Sequence, residues 1–219
     1  MRFDAVVFDF DGTLADTARD VWASVEYAAM LAGGRLREGF TAVPENLSLP
    51  LEEIYAVIEP SRAEEGFVSF KENIAMHYRK RNPFAGTRLY PGMESFLKEL
   101  KNAGIPCCIV SAKPEEALER VLEVKGWGGY FLEWLSNEPA EGKMRTKAEA
   151  IGRLLEKHPD WKAPVYVGDS YTDVTAAARN RMECIGVLYG DGDRDKVIAE
   201  NPAYTAENVA QIAAVILGK

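Results

Sequence analysis

The sequence predicts an α/β fold, a parallel sheet layered between helices and interrupted early by an inserted helical block. Three observations carry that expectation. Short β-branched and aromatic runs recur at 5–13, 105–110, 164–167 and 184–188, as buried strands do. Apolar residues at helical spacing fill the gaps between the later runs, and strand alternating with helix is the pattern of βαβ units. No further strand-like run stands between the first one and residue 105; the intervening stretch reads as helix.

Taken in order, the first strand runs from Ala5 into Asp9-Phe10-Asp11-Gly12-Thr13 and ends in carboxylates and a Gly turn. Strand alternation places Asp9 and Asp11 on the same side. Helices are expected over 18–31, 51–58 and 63–80, separated by Gly33 and Gly34, by the segment 44–50 and by the segment 82–86. The insert, residues 16–85, is therefore a small helical domain carried on two linkers by a core of residues 1–15 and 86–219. Beyond it, Met93, Phe96, Leu97 and Leu100 mark a helix that Pro91 opens and Gly104 closes. Ala117, Leu118, Val121 and Leu122 mark the next. Two more follow, one carrying Ala148, Ile151, Leu154 and Leu155, the other Val174, Ala177 and Ala178.

Composition narrows the partners. The 219 residues fit one or two domains, at ~150 residues each, and a chain this long builds a core without a staple. Lys and Arg number 26 against 34 Asp and Glu, a net charge of −8, which speaks against nucleic-acid polymers and anionic membranes. Cys107, Cys108 and Cys184 lack metal-site spacing and sit in apolar runs, as reduced, buried thiols do. No apolar run approaches the ~20 residues of a membrane span. Asp4, Asp9 and Asp11 interrupt any signal-peptide pattern. The expectation is a soluble cytoplasmic protein; oligomeric state is not readable.

In an open α/β sheet the ligand site lies beyond the carboxyl ends of the strands. There the first strand delivers Asp9 and Asp11, the second Ser111, and the third Gly168-Asp169-Ser170 with Asp173 close behind. Carboxylates gathered at one edge repel unless a cation joins them, and hard oxygen ligands suit Mg²⁺. Such a cluster beside a hydroxyl and a lysine is a site for phosphate chemistry.

Asp9-Phe10-Asp11-Gly12-Thr13 resembles the first motif, DxDGT, of the haloacid dehalogenase superfamily. Ser111 matches the second motif and Gly168-Asp169-Ser170-Tyr171-Thr172-Asp173 the fourth, GDxxxD. Order and strand context agree along the whole chain. The resemblance implies a Rossmann-like core with an α-helical cap, as in the phosphoglycolate-phosphatase-like branch. It further implies Asp9 as a nucleophile forming an aspartyl-phosphate and Asp11 as the acid and base on leaving group and water. Mg²⁺ would be held by Asp9, Asp169 and the Asp11 carbonyl, with Asp173 as ligand or neighbour. Phosphoryl oxygens would rest on Ser111, Lys113 and the backbone of Gly12, Thr13 and Ala112.

The third motif is a lysine, and here the common Lys-Pro form is missing. Lys147 is favoured over Lys143 because Thr146 is a plausible N-cap that fixes Lys147 at a helix start. Ser111 alone would equally suit a helix cap before Pro114. Asp191-x-Asp193-x-Asp195 fails as a calcium loop, having Lys196 and Pro202 where Gly and Glu belong, and reads as a solvated loop. His77 and His158 carry no catalytic signature, and the Arg79-Lys80-Arg81 run reads as a solvated face. Candidate selectors of the leaving group are Arg19, Tyr55, Arg62, Lys71, Tyr78 and Arg79.

The implied function is a Mg²⁺-dependent phosphatase for a small phosphorylated metabolite, its cap excluding water and choosing the leaving group. A phosphosugar mutase keeps both aspartates and is the alternative. A phospho-accepting signalling module is a remote third, since such domains take phosphate on a later strand. Phosphoglycolate, a nucleoside monophosphate, a sugar phosphate and pyrophosphate all remain open as substrates.

Overall fold

The structure, a computed structural model, describes residues 2–43, 46–47, 49–58, 64–137 and 146–218. The chain divides into two compact units, Met1–Asp16 with Arg88–Lys219, and Thr17–Thr87. It opens with β1 (Ala5–Phe8), buried at every position, and a two-residue strand, β2 (Ala15–Asp16). The helical unit follows with α1 (Ala18–Leu31), α2 (Leu51–Ile58) and α3 (Glu64–Met76), which ends in a π-helical turn over His77–Arg81. Trp22, Val25, Phe40, Ile54, Tyr55 and Phe70 form its core.

The first unit resumes at β3 (Arg88–Leu89), antiparallel to β2. Then come α4 (Met93–Asn102), β4 (Cys107–Ser111), α5 (Glu115–Lys125), β5 (Glu133–Ser136) and α6 (Lys147–Lys157). The remainder is β6 (Pro164–Gly168), α7 (Tyr171–Arg179), β7 (Glu183–Val187), α8 (Arg194–Ala199), β8 (Tyr204–Ala206) and α9 (Val209–Leu217). Six parallel strands lie in the order β5-β4-β1-β6-β7-β8. The sheet, layered with helices, has the predicted α/β architecture. β1 lies between β4 and β6, so the chain leaves it first to one side and later to the other. That switch opens a crevice at the carboxyl ends of these strands.

The first strand is shorter than its apolar run suggests. Pairing stops at Phe8, and the last ladder bond runs from Asp9 N–H to the Val167 carbonyl at 2.9 Å. A tight loop follows, in which Leu14 and Ala15 N–H both return to the Phe10 carbonyl. Gly12 has φ +74°, and a Cβ there would lie 2.2 Å from Asp169 Oδ2. Loop geometry, and not strand alternation, therefore places Asp9 and Asp11. The edge strand β8 and the short pair β2–β3 have no apolar run to announce them, and the apolar stretch 130–135 that carries the edge strand β5 is absent from the predicted strands. The supposed solvated loop is half helix cap, since Asp193 accepts from Asp195 and Lys196 N–H to start α8.

The three cysteines are free and buried, and burial pushes the Cys107 and Cys108 thiols up to about 12, leaving them inert. Among the described residues, no helix is long and apolar enough to cross a membrane.

Candidate active site

Three strand ends supply the site. β1 hands over Asp9, whose Oδ1 accepts the Phe10 N–H at 2.7 Å and whose Oδ2 accepts Lys147 Nζ at 2.8 Å. Burial raises the Asp9 carboxyl to about 6, against the pull of Lys147; Asp173 adds to the rise. Ser111, at the end of β4, exerts the smallest of the influences that pull the Asp9 carboxyl down, after Lys147. Its Oγ accepts the Lys113 N–H at 3.2 Å. α5 begins only at Glu115, so Ser111 closes the turn before the helix and does not cap the helix itself.

Lys147 is the first residue of α6, and the expected Thr146 cap is present as a full capping box. Thr146 Oγ1 accepts the Glu149 N–H at 3.2 Å, and the Thr146 N–H donates to Glu149 Oε2 at 2.8 Å. The ammonium reaches both Asp9 and Asp173. Burial opposes its charge, but the two carboxylates outweigh burial and hold the lysine above its ordinary value. Lys143 lies outside the described residues.

Asp173 is buried and fully engaged. Oδ2 accepts the Ser170 N–H at 3.0 Å and the Ser170 hydroxyl at 2.7 Å. Oδ1 accepts Lys147 and lies 3.3 Å from the Tyr166 hydroxyl. That phenol is held well above its ordinary value by burial and by the charges of Asp173 and Asp9, so it remains a donor.

Asp169, from the end of β6, is gripped by a loop that sequence reading missed. The N–H groups of Asp191 and Gly192 both donate to Oδ2 at 2.9 Å, and Thr13 Oγ1 donates to Oδ1 at 3.3 Å. A Cβ on Gly192 would stand 2.0 Å from the Asp169 carbonyl oxygen, and one on Gly190 2.2 Å from that of Gly12. Tyr189 ties the same loop to the first motif, its hydroxyl donating to the Thr13 carbonyl at 2.8 Å. Two glycines flanking Asp191 after an apolar strand were the available signal. Burial, with the charges of Asp9 and Asp173, raises the Asp169 carboxyl to about 7.

Asp9, Asp169 and Asp173 each offer an oxygen within 4.8 Å of the others. Among the described residues, three buried carboxylates around the Lys147 ammonium leave excess negative charge, which adds to burial in raising Asp9 and Asp169. A hard divalent cation fits this donor set. The Asp11 carboxylate stands outside that trio and pairs with Lys113 Nζ at 2.9 Å. Lys113 is itself buried, with its ammonium 5.3 Å from the Phe10 ring centroid. Gly12 and Thr13 are buried in the same loop, and Ala112 is exposed after Ser111.

The remaining candidates fall in the helical unit. Tyr55 is buried against Phe67 and Phe70, which makes it core. Lys71 lies over Phe67, Tyr78 packs on Phe84, and Arg19 lines Gly86. Arg62 lies outside the described residues. His77 bonds to Ser24, and His158 stacks on Trp161.

The family model for haloacid dehalogenase-like hydrolases matches residues 6–187. A phosphoglycolate phosphatase of Vibrio vulnificus is 26% identical, over 97% of this chain and 95% of its own. The tyrosine-protein kinase PtkA of Mycobacterium tuberculosis is 29% identical, over 87% of this chain and 64% of its own. A crystal structure from Clostridium difficile, described as a candidate phosphatase, superposes with a TM-score of 0.85 at 23% identity, covering 99% of both chains. With DxDGT, Ser111 and GDxxxD at converging strand ends, the chain belongs to the haloacid dehalogenase-like hydrolase family and is an enzyme of its phosphatase type, similar to the phosphoglycolate-phosphatase-like members.

Proposed function

We propose that this enzyme is a Mg²⁺-dependent phosphatase that hydrolyses a small phosphorylated metabolite through a phosphorylated Asp9. The observation that carries the reading is the buried bridge of Lys147 between Asp9 and Asp173, with Asp169 alongside. A carboxylate fixed by one N–H and one ammonium is oriented for in-line attack on phosphorus. Asp9 forms the new O–P bond as the ester O–P bond breaks, and Asp11 gives its proton to the departing alkoxide. Asp11 then takes a proton from the water that cleaves the acyl phosphate and releases inorganic phosphate. Lys113, on Asp11, orients that carboxyl, while Ser111 and the backbone N–H groups of Thr13 and Ala112 hold phosphoryl oxygens; Gly12, expected among them, has its N–H on the Ala15 carbonyl at 3.0 Å and serves by shaping the loop. Asp9, Asp169 and the Asp11 carbonyl would hold Mg²⁺, which would supply the positive charge that lets an anion approach a dianion. Asp173, with both oxygens engaged, serves by orienting Lys147. The helical unit Thr17–Thr87 is assigned the role of cap, choosing the leaving group.

Phosphate release from p-nitrophenyl phosphate with and without Mg²⁺ tests the reading. Turnover requires the metal and falls at least ~1,000-fold in Asp9→Asn, the scale of losing a covalent nucleophile. Metal-independent turnover, or an active Asp9→Asn, overturns the mechanism. A panel including phosphoglycolate, nucleoside monophosphates and sugar phosphates then selects the substrate. A hexose phosphate isomerised without phosphate release replaces hydrolase by mutase.

A further inference from the structure

We propose that Tyr166 is a positioning residue of this site: its hydroxyl takes over a sheet carbonyl so that the Phe10 N–H is released to hold Asp9. The inference rests on the reading of Asp9 as nucleophile. The β1–β4 ladder begins with the Val6 N–H on the Pro106 carbonyl. In a parallel pair the same strand donates again at every second residue. Continued by that period, the ladder would put the Phe10 N–H on the Val110 carbonyl. It does not, because the Phe10 N–H donates to Asp9 Oδ1 at 2.7 Å. The Val110 carbonyl, buried at the end of β4, instead accepts the Tyr166 hydroxyl at 2.7 Å.

Tyr166 stands on β6, which is not a neighbour of β4, since β1 lies between them. Its side chain therefore spans the broken end of β1 to reach that carbonyl. The same hydroxyl lies 3.3 Å from Asp173 Oδ1, the oxygen that holds Lys147. One buried hydroxyl thus links the peptide carrying Ser111 to the Asp173–Lys147 pair and frees the amide that orients Asp9. Phenylalanine fills the same space but leaves the Val110 carbonyl without this donor. By the ladder period the donor that would replace it is the Phe10 N–H, taken from Asp9.

The test is Tyr166→Phe, with Val197→Ala, in the same core cluster but on α8, as a control for lost stability. Expected in Tyr166→Phe is a kcat about 10- to 100-fold lower, the scale of a small misplacement of a reacting group, with KM nearly unchanged. Inhibition by orthovanadate, a transition-state mimic, weakens in step with kcat. The amide resonance of Phe10, followed by NMR, moves in Tyr166→Phe and stays in place in Val197→Ala. Wild-type kcat and an unmoved Phe10 amide in Tyr166→Phe overturn the proposal, as does an equal kcat loss in both variants. If the wild-type chain has no phosphatase turnover, the functional reading falls, and the Phe10 amide alone decides whether Tyr166 releases it.

Discussion

Gly192 shows how much of this site rests on the main chain. Its N–H and that of Asp191 hold Asp169 Oδ2, which leaves Oδ1, lightly engaged by Thr13, to face a cation. A methyl group there would meet the Asp169 carbonyl oxygen at 2.0 Å, and backbone cannot swing aside as a flexible side chain could. Gly192→Ala therefore pushes the loop off Asp169. We expect the Mg²⁺ concentration for half-maximal phosphate release to rise about 10- to 100-fold, as when a partner orienting a metal ligand is lost. The kcat at saturating Mg²⁺ stays within a few-fold, and an unchanged Mg²⁺ titration would falsify this role of the loop. The same residues explain what the sequence could tell. Asp9, Asp11, Asp169 and Asp173 bring side chains to the site at a recognisable spacing, and the place of Lys147 was legible through the cap on Thr146. Amide donors belong to every residue, so the loop on Asp169 appears in the sequence merely as two glycines around an aspartate.

Elements were legible where burial demanded a long apolar pattern and obscure where it did not. β1, β4 and β6 are central and read as apolar runs, whereas β5 and β8 lie at the sheet edges with half-buried or exposed positions. The return from the helical unit was read as a polar linker, yet its polar groups are partners of α1. Asp20 is buried and accepts the Gly86 N–H at 3.2 Å through Oδ1 and the Thr87 hydroxyl at 2.6 Å through Oδ2, which also takes the Thr87 N–H. Asn82 donates to the Asp20 carbonyl at 2.6 Å and to Ser24 at 3.0 Å, and His77 joins at Ser24. Asp20→Ala strands three donors, the two of Thr87 buried and the Gly86 N–H half-buried. With unsatisfied buried groups costing about 1–3 kcal/mol each and some relaxation recovered, the expected loss is about 3 kcal/mol in the helical unit. Chemical denaturation followed at Trp22, on α1, measures it. A loss under about 1 kcal/mol, within the ordinary range of surface changes, would mean that Asp20 does not fasten this linker.

At the scale of the whole chain, the net charge of −8 describes a surface average, and the charge that matters is concentrated at three buried carboxylates. The sequence located these residues but not their energetics, which depend on burial and on how few cations accompany them. Asp169, raised from 3.8 to about 7 chiefly by burial and then by Asp9 and Asp173, binds its proton more tightly folded than unfolded. Its contribution to metal-free stability is complete below pH about 4 and is lost as pH rises towards 7. A cation held by Asp9 and Asp169 would reverse that loss, because it binds the ionised site and not the unfolded chain. At 100 times its Kd, Mg²⁺ adds about 2.7 kcal/mol. For a chain of this size that is a rise in melting temperature of about 5–10 °C in the unit carrying the sheet. The rise should be larger at pH 8 than at pH 5, where the proton competes for Asp169, and EDTA should abolish it. Asp169→Asn keeps an acceptor for the two amides while removing one repelling charge. Its metal-free melting temperature at pH 8 should therefore match or exceed that of the wild type, with the Mg²⁺ shift gone. Calorimetric scans of both proteins at the two pH values decide the matter. A wild-type melting temperature indifferent to Mg²⁺, or a shift that survives in Asp169→Asn, would remove Asp169 and its neighbour Asp9 as the metal site.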